Sequence, residues 1–600
     1  MTDIPFAPRA LEVERKWDGT LYLRSKLPPA PYPVQLSEWL RRWAREQPAR
    51  TFLAERIPGG WRKLAYGEAL ELANRVSQAL LDLGLGPERP AASLGHNSIE
   101  VAILKLAAMQ VGIPFVPVSP SYSLLSEDFG VLRHVFAVAR PALVYVPAEQ
   151  SFRRALQAVE SPGLIQVSRL DELTRAKPGR ELEQAYDRVT GDTVAKYLFT
   201  SGSTGLPKAV IVTQRMLCAN ATGVCQLLPV LDDHPPVLVD WMPWHHVAGG
   251  NKNFDLVLRC GGTLYIDGGR PQPGRFEETL RNLREIQPTF MNNVPLAYGM
   301  LAPHLEADDE FAHHLLERMD FLFYGAAPMP ISLWERLDRV ATKAIGRRIP
   351  LLSSLGSTET TPCSVLGHWA SEVSGNLGLP LPGVEIKLAP TAEKLEMRVK
   401  GPNVTPGYLR DEASTRKAFD EEGFYRMGDA VRFVDESRPE EGLLFDGRIS
   451  ENFKLQTGTW VQAGTVRTDA LAAISPLGQD AAVAGEGRAG IGLLVFLNRA
   501  ECARALGLDA NISFGDLAAN AELREMLRER FAAYNRHHAG SSSRISRFAI
   551  MTEPPSPAAH EITDKGYLNQ RAILAGRAEW VEALYAREPG ADVIVIHEGP

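Results

Sequence analysis

Apolar positions change period several times along the chain, and each change marks an element. In LSEWLRRWAREQ (36–47), Leu36, Trp39, Leu40 and Trp43 recur at helical spacing. EALELANRVSQALLDLGLG (68–86) keeps that period until Gly84 and Gly86 stop it. AILKLAAMQVGIPFVPV (102–118) reads as a helix running into a strand, and RFEETLRNLREIQP (275–288) leads in the same way into TFMNN. Alternation of this kind from about residue 35 to 380 predicts layered α/β structure. From 384 to 435 the texture changes to short strands between turn signals, as in VEIKL and KLEMRVKGPNVTPGYL, and predicts a smaller β-rich subdomain. A third region from 449 onward mixes strands and helices. Within it, HHAGSSSRISR (537–547) predicts a mobile connection.

Length adds that more than one core is needed, because 600 residues exceed what a single domain supports. The apolar fraction of 45% and charged fraction of 23% are ordinary for a globular protein. A net charge of −7 excludes a general nucleic-acid binder, so a polyanionic substrate has to be met by local donors. The five cysteines are scattered, with no metal-ligand spacing and no disulfide framework, and read as reduced thiols. The N-terminus lacks the apolar run of a signal peptide, and the most apolar stretch is broken by Lys105, Gln110 and Pro114. A cytoplasmic enzyme without membrane or nucleic-acid partners is expected, as monomer or homodimer.

Candidate chemistry concentrates in YLFTSGSTGLPKAVIV (197–212). Strand-like flanks enclose Thr200, Ser201, Gly202, Ser203, Thr204 and Gly205, and the loop closes on Pro207 and Lys208. Small residues let backbone amides approach an anion, hydroxyls add donors, and Lys208 adds a point charge. Pro207 stands where a Walker A motif has Gly before Lys, so this is a different phosphate loop.

TSGSTGLPK resembles the phosphate-binding signature of the adenylate-forming enzymes: acyl- and aryl-CoA synthetases, luciferases and peptide-synthetase adenylation domains. Other motifs follow in family order: YGAAPMP (324–330), LGSTETTP (355–362), YRMGDA (425–430), LFDGRISENFK (444–454) and EITDKGYLNQR (561–571). The resemblance implies a large N-terminal adenylation domain (1–449), with layered α/β subdomains and a small β subdomain, and a small mobile α+β lid domain (450–600). It implies that a carboxylate attacks the α-phosphate of ATP and that the acyl group then passes to a thiol, with ATP, Mg²⁺ and CoA as cofactor and co-substrates. Thr200 to Gly205 and Lys208 would hold phosphates. Gly325, Ala326, Ala327 and Pro328 would meet adenine, and Gly356 and Thr358 would be further cofactor-binding residues. Glu359 would ligate the metal, as a hard carboxylate oxygen suits magnesium. Asp429 and Arg448 would hold the ribose, and Lys565 the reacting carboxylate and α-phosphate. His246 would flank an acid pocket that includes Trp244, Gly249, Asn293 and Gly325, and Ser450 stands at the hinge. Two departures are Leu355, where the family has a stacking Tyr, and Ser450, where it has Asp or Lys.

The stretches PVSPSYSLLS, DWMPWHHVAGGN, GRISENFKLQTGTWV and EPPSPAAHEITDKGYLNQRAIL resemble the feruloyl-CoA synthetase group, which implies ferulate or a related hydroxycinnamate as the acid. Trp241, Trp244, Phe290, Met291 and Tyr298 have the size to line an aromatic pocket or to be plain core. A fatty acyl-CoA synthetase, a ligase loading a carrier protein and an inactive nucleotide-binding regulator stay open as alternatives.

Overall fold

The computed structural model describes residues 4–126, 128–147, 149–200, 206–272, 274–325, 329–391, 394–509, 511–538, 540–556, 559, 561 and 568–596. Two compact units emerge. The larger comprises Met1–Gly325, Met329–Met427 and Phe433–Leu444, and the smaller includes Gly428–Arg432 and Phe445–Pro600.

The larger unit is built on the helix–strand alternation expected. A six-stranded sheet runs in the order Lys208–Thr213, Val194–Thr200, Phe115–Pro117, Ala91–Ser93, Leu143–Tyr145, Ile165–Val167. A four-stranded sheet is formed by Val237–Asp240, Thr263–Ile266, Thr51–Ile57 and Gly60–Ala65. The helix Ile99–Gln110 touches strands of both sheets, and every residue of it but Glu100 is buried. That is why its sequence is apolar all round and carries no amphipathic stripe. Ser98 starts it by accepting a hydrogen bond from the Val101 amide at 3.2 Å. Truncating a leucine here, such as Leu104, costs about 2–5 kcal/mol by the usual penalty for a core cavity.

Most strands of an eleven-stranded sheet belong to this unit. Its parallel end is Phe290–Asn293, Phe321–Tyr324 and Leu351–Leu355, and the other described pairings in it are antiparallel. An N-terminal hairpin, Leu11–Arg15 with Leu21–Ser25, closes its far edge by pairing Leu21–Arg24 with Glu385–Leu388.

In the smaller unit a four-stranded sheet has Ile491–Leu497 at its centre, antiparallel to Gly478–Ala484 and parallel to Ile545–Ile550. Alternate residues serve two cores. Leu493 and Val495 pack with the helices Ala463–Ile474 and Ala521–His537, while Leu494 and Phe496 pack with Ile573 and Leu584. A strand covered on both faces has to be apolar throughout, and this one is. The connection expected over 537–547 is shorter in the structure. The helix continues to His537, and Ile545 already opens a strand. Asn535 pins it there, donating to Ile545 O at 2.7 Å and accepting from Ile545 N at 2.9 Å. Burial of Ile545 and Phe548 outweighs the polar run before them.

Among the described residues no helix is long and apolar enough to cross a membrane.

Candidate active site

Thr200 ends the strand Val194–Thr200 and lies directly opposite Lys208 across an antiparallel pair. Ser201 to Gly205, between them, lie outside the described residues. Next to the loop, His134 Nε2 donates to Pro207 O at 2.8 Å. The free edge of Lys208–Thr213 is met by residues 405–409. Ile211 N donates to Gly407 O at 3.1 Å, Leu409 N to Ala209 O at 2.9 Å, and the Thr405 hydroxyl to Ile211 O at 2.7 Å. This edge carries Tyr408, whose ring lies 5.2 Å from Lys208 Nζ and whose hydroxyl donates to Glu359 Oε1 at 2.9 Å. Thr405 N also donates to Glu359 O at 2.8 Å. Three stretches far apart in sequence therefore bring Thr200, Lys208, Thr358 and Glu359 together.

Glu359 sits in a 3₁₀ turn, Thr358–Thr360, with its side chain largely buried. The turn folds back so tightly that a Cβ on Gly356 would fall 1.5 Å from Pro362 O, which accounts for the glycine. Burial, and then the Glu359 charge, push the Tyr408 hydroxyl well above its ordinary pKa, so it remains a donor to the carboxylate. Leu355, which stands where the family has an aromatic ring, ends the adjoining strand.

A second group gathers where parallel strands end. Gly325 N donates to Asn293 O at 3.2 Å, and Trp241 Nε1 to Asn293 Oδ1 at 3.0 Å. Trp241, Asn293 and Gly325 are thus neighbours at carboxyl ends of strands, the usual place for a ligand in an open α/β sheet. Trp244 packs edge-on against Phe254, ring centroids 5.0 Å apart, and its amide donates to Asn97 Oδ1 at 2.9 Å. His245 and His246 follow with rings 4.4 Å apart, and His246 O accepts from Gly250 N at 2.8 Å. Here the chain enters a π-helix, Ala248–Asn253. A Cβ on Gly249 would lie 2.4 Å from Met242 O, so the close approach of this helix to the 242–244 turn needs glycine. Met291 and Tyr298 are core residues, and Phe290 stacks on Phe321. Tyr298 donates to Phe323 O at 2.8 Å and so ties strand to helix, as buried tyrosines must find a partner.

What holds the π-helix escaped sequence reasoning. Lys105 Nζ reaches Gly250 O at 2.8 Å and Asp255 Oδ1 at 2.9 Å, and Lys196 Nζ reaches Gly250 O at 3.3 Å and Asn251 Oδ1 at 2.6 Å. All three ionisable side chains are buried, and burial lowers both lysine pKa values, that of Lys196 well below the ordinary range. Lys196 lies on the strand that ends at Thr200, so one network spans that strand and the π-helix. The available signal was Lys105 itself, a charge inside an apolar helical run, which requires a buried partner. Lys252, on the same π-helix, is buried with its Nζ 2.8 Å from the Phe323 ring centroid, and burial lowers its pKa to about 8.

In the smaller unit, Arg448 Nε lies 3.3 Å from Asp429 Oδ1, so the two proposed ribose ligands are paired, Asp429 buried and Arg448 exposed. Ser450 falls in the 3₁₀ turn Ile449–Glu451. Lys565 and Ala326 to Pro328 lie outside the described residues. Among the described residues no group of three or more His, Cys, Asp or Glu gathers as a metal cage. A lone carboxylate such as Glu359 fits magnesium, which keeps waters and binds through substrate phosphates plus one or two carboxylates.

Comparison with known proteins agrees with this geometry. The family described as AMP-binding enzyme matches residues 40–409. The 2-succinylbenzoate–CoA ligase of Bacillus licheniformis is 26% identical over 408 residues, spanning 66% of this chain and 77% of that protein. The feruloyl-CoA synthase of an Amycolatopsis species is 26% identical over 412 residues, spanning 66% of this chain and 76% of that protein. In fold, the chain is similar to the adenylation domain of carboxylic acid reductase from Segniliparus rugosus, solved with AMP and a co-purified carboxylic acid. That likeness has a TM-score of 0.70 at 20% identity and covers 92% of this chain and 94% of the other.

Proposed function

The chain belongs to the AMP-binding enzyme family, which activates carboxylic acids with ATP, and from that premise we propose that it is an acid–thiol ligase for an aromatic acid, ferulate or a related hydroxycinnamate. The observation that carries the reading is the convergence of Lys208, Tyr408 and Glu359 at the end of the phosphate-loop strands. Two negative reactants have to meet in the first step, so charge neutralisation and positioning are the main demands.

In this reading Thr200 to Gly205 and Lys208 hold the β- and γ-phosphates, Gly325 to Pro328 meet adenine, Gly356 and Thr358 bind the nucleotide beside them, and Asp429 with Arg448 accepts and positions the ribose. Glu359, oriented by Tyr408, holds the magnesium. When bound, that ion offsets charge on the phosphate oxygens. Lys565 steadies the acid's carboxylate as it attacks the α-phosphate and pyrophosphate leaves. Trp244, His246, Gly249, Asn293 and Gly325 line the acid's pocket. In the second step the CoA thiol attacks the acyl carbonyl and AMP departs. For this, the lid domain (450–600) turns about Ser450 against the adenylation domain (1–449) and withdraws Lys565. We place the enzyme in the cytoplasm, as monomer or homodimer.

Pyrophosphate release with a panel of cinnamates, benzoates and fatty acids, with and without CoA, tests this. Hydroxycinnamates are expected to give the highest kcat/KM, with thioester formed only when CoA is present. Preference for fatty acids rejects the aromatic assignment. Adenylate formation that never yields a CoA thioester favours loading of a carrier protein instead.

A further inference from the structure

Away from this site, the helices Gln214–Leu227 and Phe254–Cys260 pack together in the larger unit and bring two thiols into contact. Cys225 Sγ and Cys260 Sγ are 3.4 Å apart, the one sulfur–sulfur contact between cysteines among the described residues. A disulfide needs about 2.05 Å, so the sulfurs have to close by about 1.4 Å, which is within reach of side-chain adjustment. Cys225 is completely buried and Cys260 is 3% exposed. Cys260 nevertheless lines a cavity of about 390 Å³, whose walls include Trp39, Trp43, Arg42, Arg259 and Pro235. Arg259 Nη1 lies 3.7 Å from the Cys260 sulfur, and that guanidinium is held by Asp232.

We propose that Cys225 and Cys260 form a modification site, a dithiol that a hydroperoxide entering this cavity oxidises reversibly to a disulfide. The two sulfurs are not equivalent. Burial raises the Cys260 thiol, but its hydrogen bond with Cys225 and the Arg259 charge outweigh that and leave it below its ordinary pKa. Burial and the same hydrogen bond push Cys225 up. Cys260, the sulfur at the cavity wall, is therefore the attacking thiolate, as nucleophilicity toward peroxide resides in the thiolate. It attacks one peroxide oxygen, the O–O bond breaks, and water leaves with the proton taken up by the departing oxygen, or alcohol if the peroxide is alkyl. Cys260 is left as a sulfenic acid. The Cys225 sulfur then attacks the Cys260 sulfur, its proton leaves with the hydroxyl as a second water, and the S–S bond forms. Two thiols lose two electrons in total and one peroxide gains them. A thiol reductant reverses the reaction by exchange.

The experiment treats the full-length protein with hydrogen peroxide under native conditions, removes the oxidant with catalase, then denatures and alkylates it for mass spectrometry. The free-thiol count is expected to fall from five to three, with Cys225 and Cys260 in one cross-linked species, and to return to five after dithiothreitol. In Cys225→Ser, Cys260 is expected to be trapped as sulfenic acid by dimedone, with no cross-link. Five thiols persisting in the wild type overturns the proposal. So does a cross-link to another cysteine, or Cys260 reaching sulfinic acid without a disulfide. The wild-type arm decides the matter even if the variant folds poorly.

Discussion

On the proposed nucleotide side, Lys208, Tyr408 and Glu359 stand on main-chain hydrogen bonds between a strand, a turn and residues 405–409, with one buried carboxylate. On the proposed acid side, the π-helix at Gly249 and Gly250 rests on two buried lysines and a single buried aspartate. The first construction spends little to place its groups, since backbone pairing satisfies donors and acceptors wherever strands meet. The second keeps charges out of water, a costly arrangement whose net worth depends on every partner staying in place. A π-turn is a rare backbone state found mostly at functional sites, and the network around Gly250 O is what supplies partners for it here. The difference predicts where each side breaks. The acid side fails through stability, the nucleotide side through rate.

Removing Asp255 is the harshest way to break that comparison. Asp255→Ala leaves Lys105 and Lys196 beside each other without a carboxylate, and a destabilisation of about 3–5 kcal/mol is expected from urea unfolding, the usual cost of orphaning a buried ion. The double variant Lys105→Met with Asp255→Leu is expected to recover most of it, because replacing both members of a buried pair is often near neutral. A single variant as stable as the wild type would show that the network carries no load.

Lys565→Ala tests the proposed adenylation step by rate instead of stability. A fall of about 10²–10³-fold in carboxylate-dependent pyrophosphate exchange is expected, the loss typical of one transition-state charge stabiliser, with the melting temperature unchanged. Thioester formation from preformed acyl-adenylate is expected to be spared. Equal losses in both half-reactions would reject the withdrawal of Lys565 between steps.

Tyr408→Phe probes the join between Lys208 and Glu359. A hydrogen bond to a charged group is worth about 1.5–3 kcal/mol, so adenylation is expected to fall by roughly 10–100-fold. The magnesium concentration for half-maximal rate is expected to rise with it. A lower rate at an unchanged magnesium requirement would separate Tyr408 from the metal.

Legibility in the sequence divides along the same line. Thr200, Lys208, Glu359 and Asp429 could be singled out because contiguous motifs carry them, the helix at 37–46 because its apolar period is strong, and the helix at 99–110 because its apolar run is long. Tyr408 was not, since its partner is 49 residues away and a tyrosine after Pro–Gly looks like any turn. Lys196 and Lys105 were not, because periodicity reports burial of apolar faces and is silent about which buried charges meet. The N-terminal hairpin was missed for a related reason. Its alternation spans only five residues on each strand, and a partner from residues 385–388 completes it. Tyr298, large enough for a pocket wall, is instead a core tie, a distinction set by where its hydroxyl finds an acceptor.

Lys252 sharpens the comparison at its finest level, since it is a buried cation on the π-helix with a ring, Phe323, as its neighbour in place of a carboxylate. Burial lowers its pKa from 10.5 to about 8. The unfolded chain therefore binds a proton more readily between those values, and the folded state carries the full penalty below pH 8. That shift alone corresponds to about 3 kcal/mol, and a desolvated cation–π contact returns up to about 2. Lys252→Met is thus expected to stabilise the protein by about 1–2 kcal/mol at pH 7, read by urea unfolding. The gain should shrink as pH rises from 8 toward 10.5, where the wild-type lysine is neutral in both states. A gain independent of pH would assign the effect to packing of the methionine. A loss at pH 7 would mean that the ammonium finds a stronger partner than the Phe323 ring.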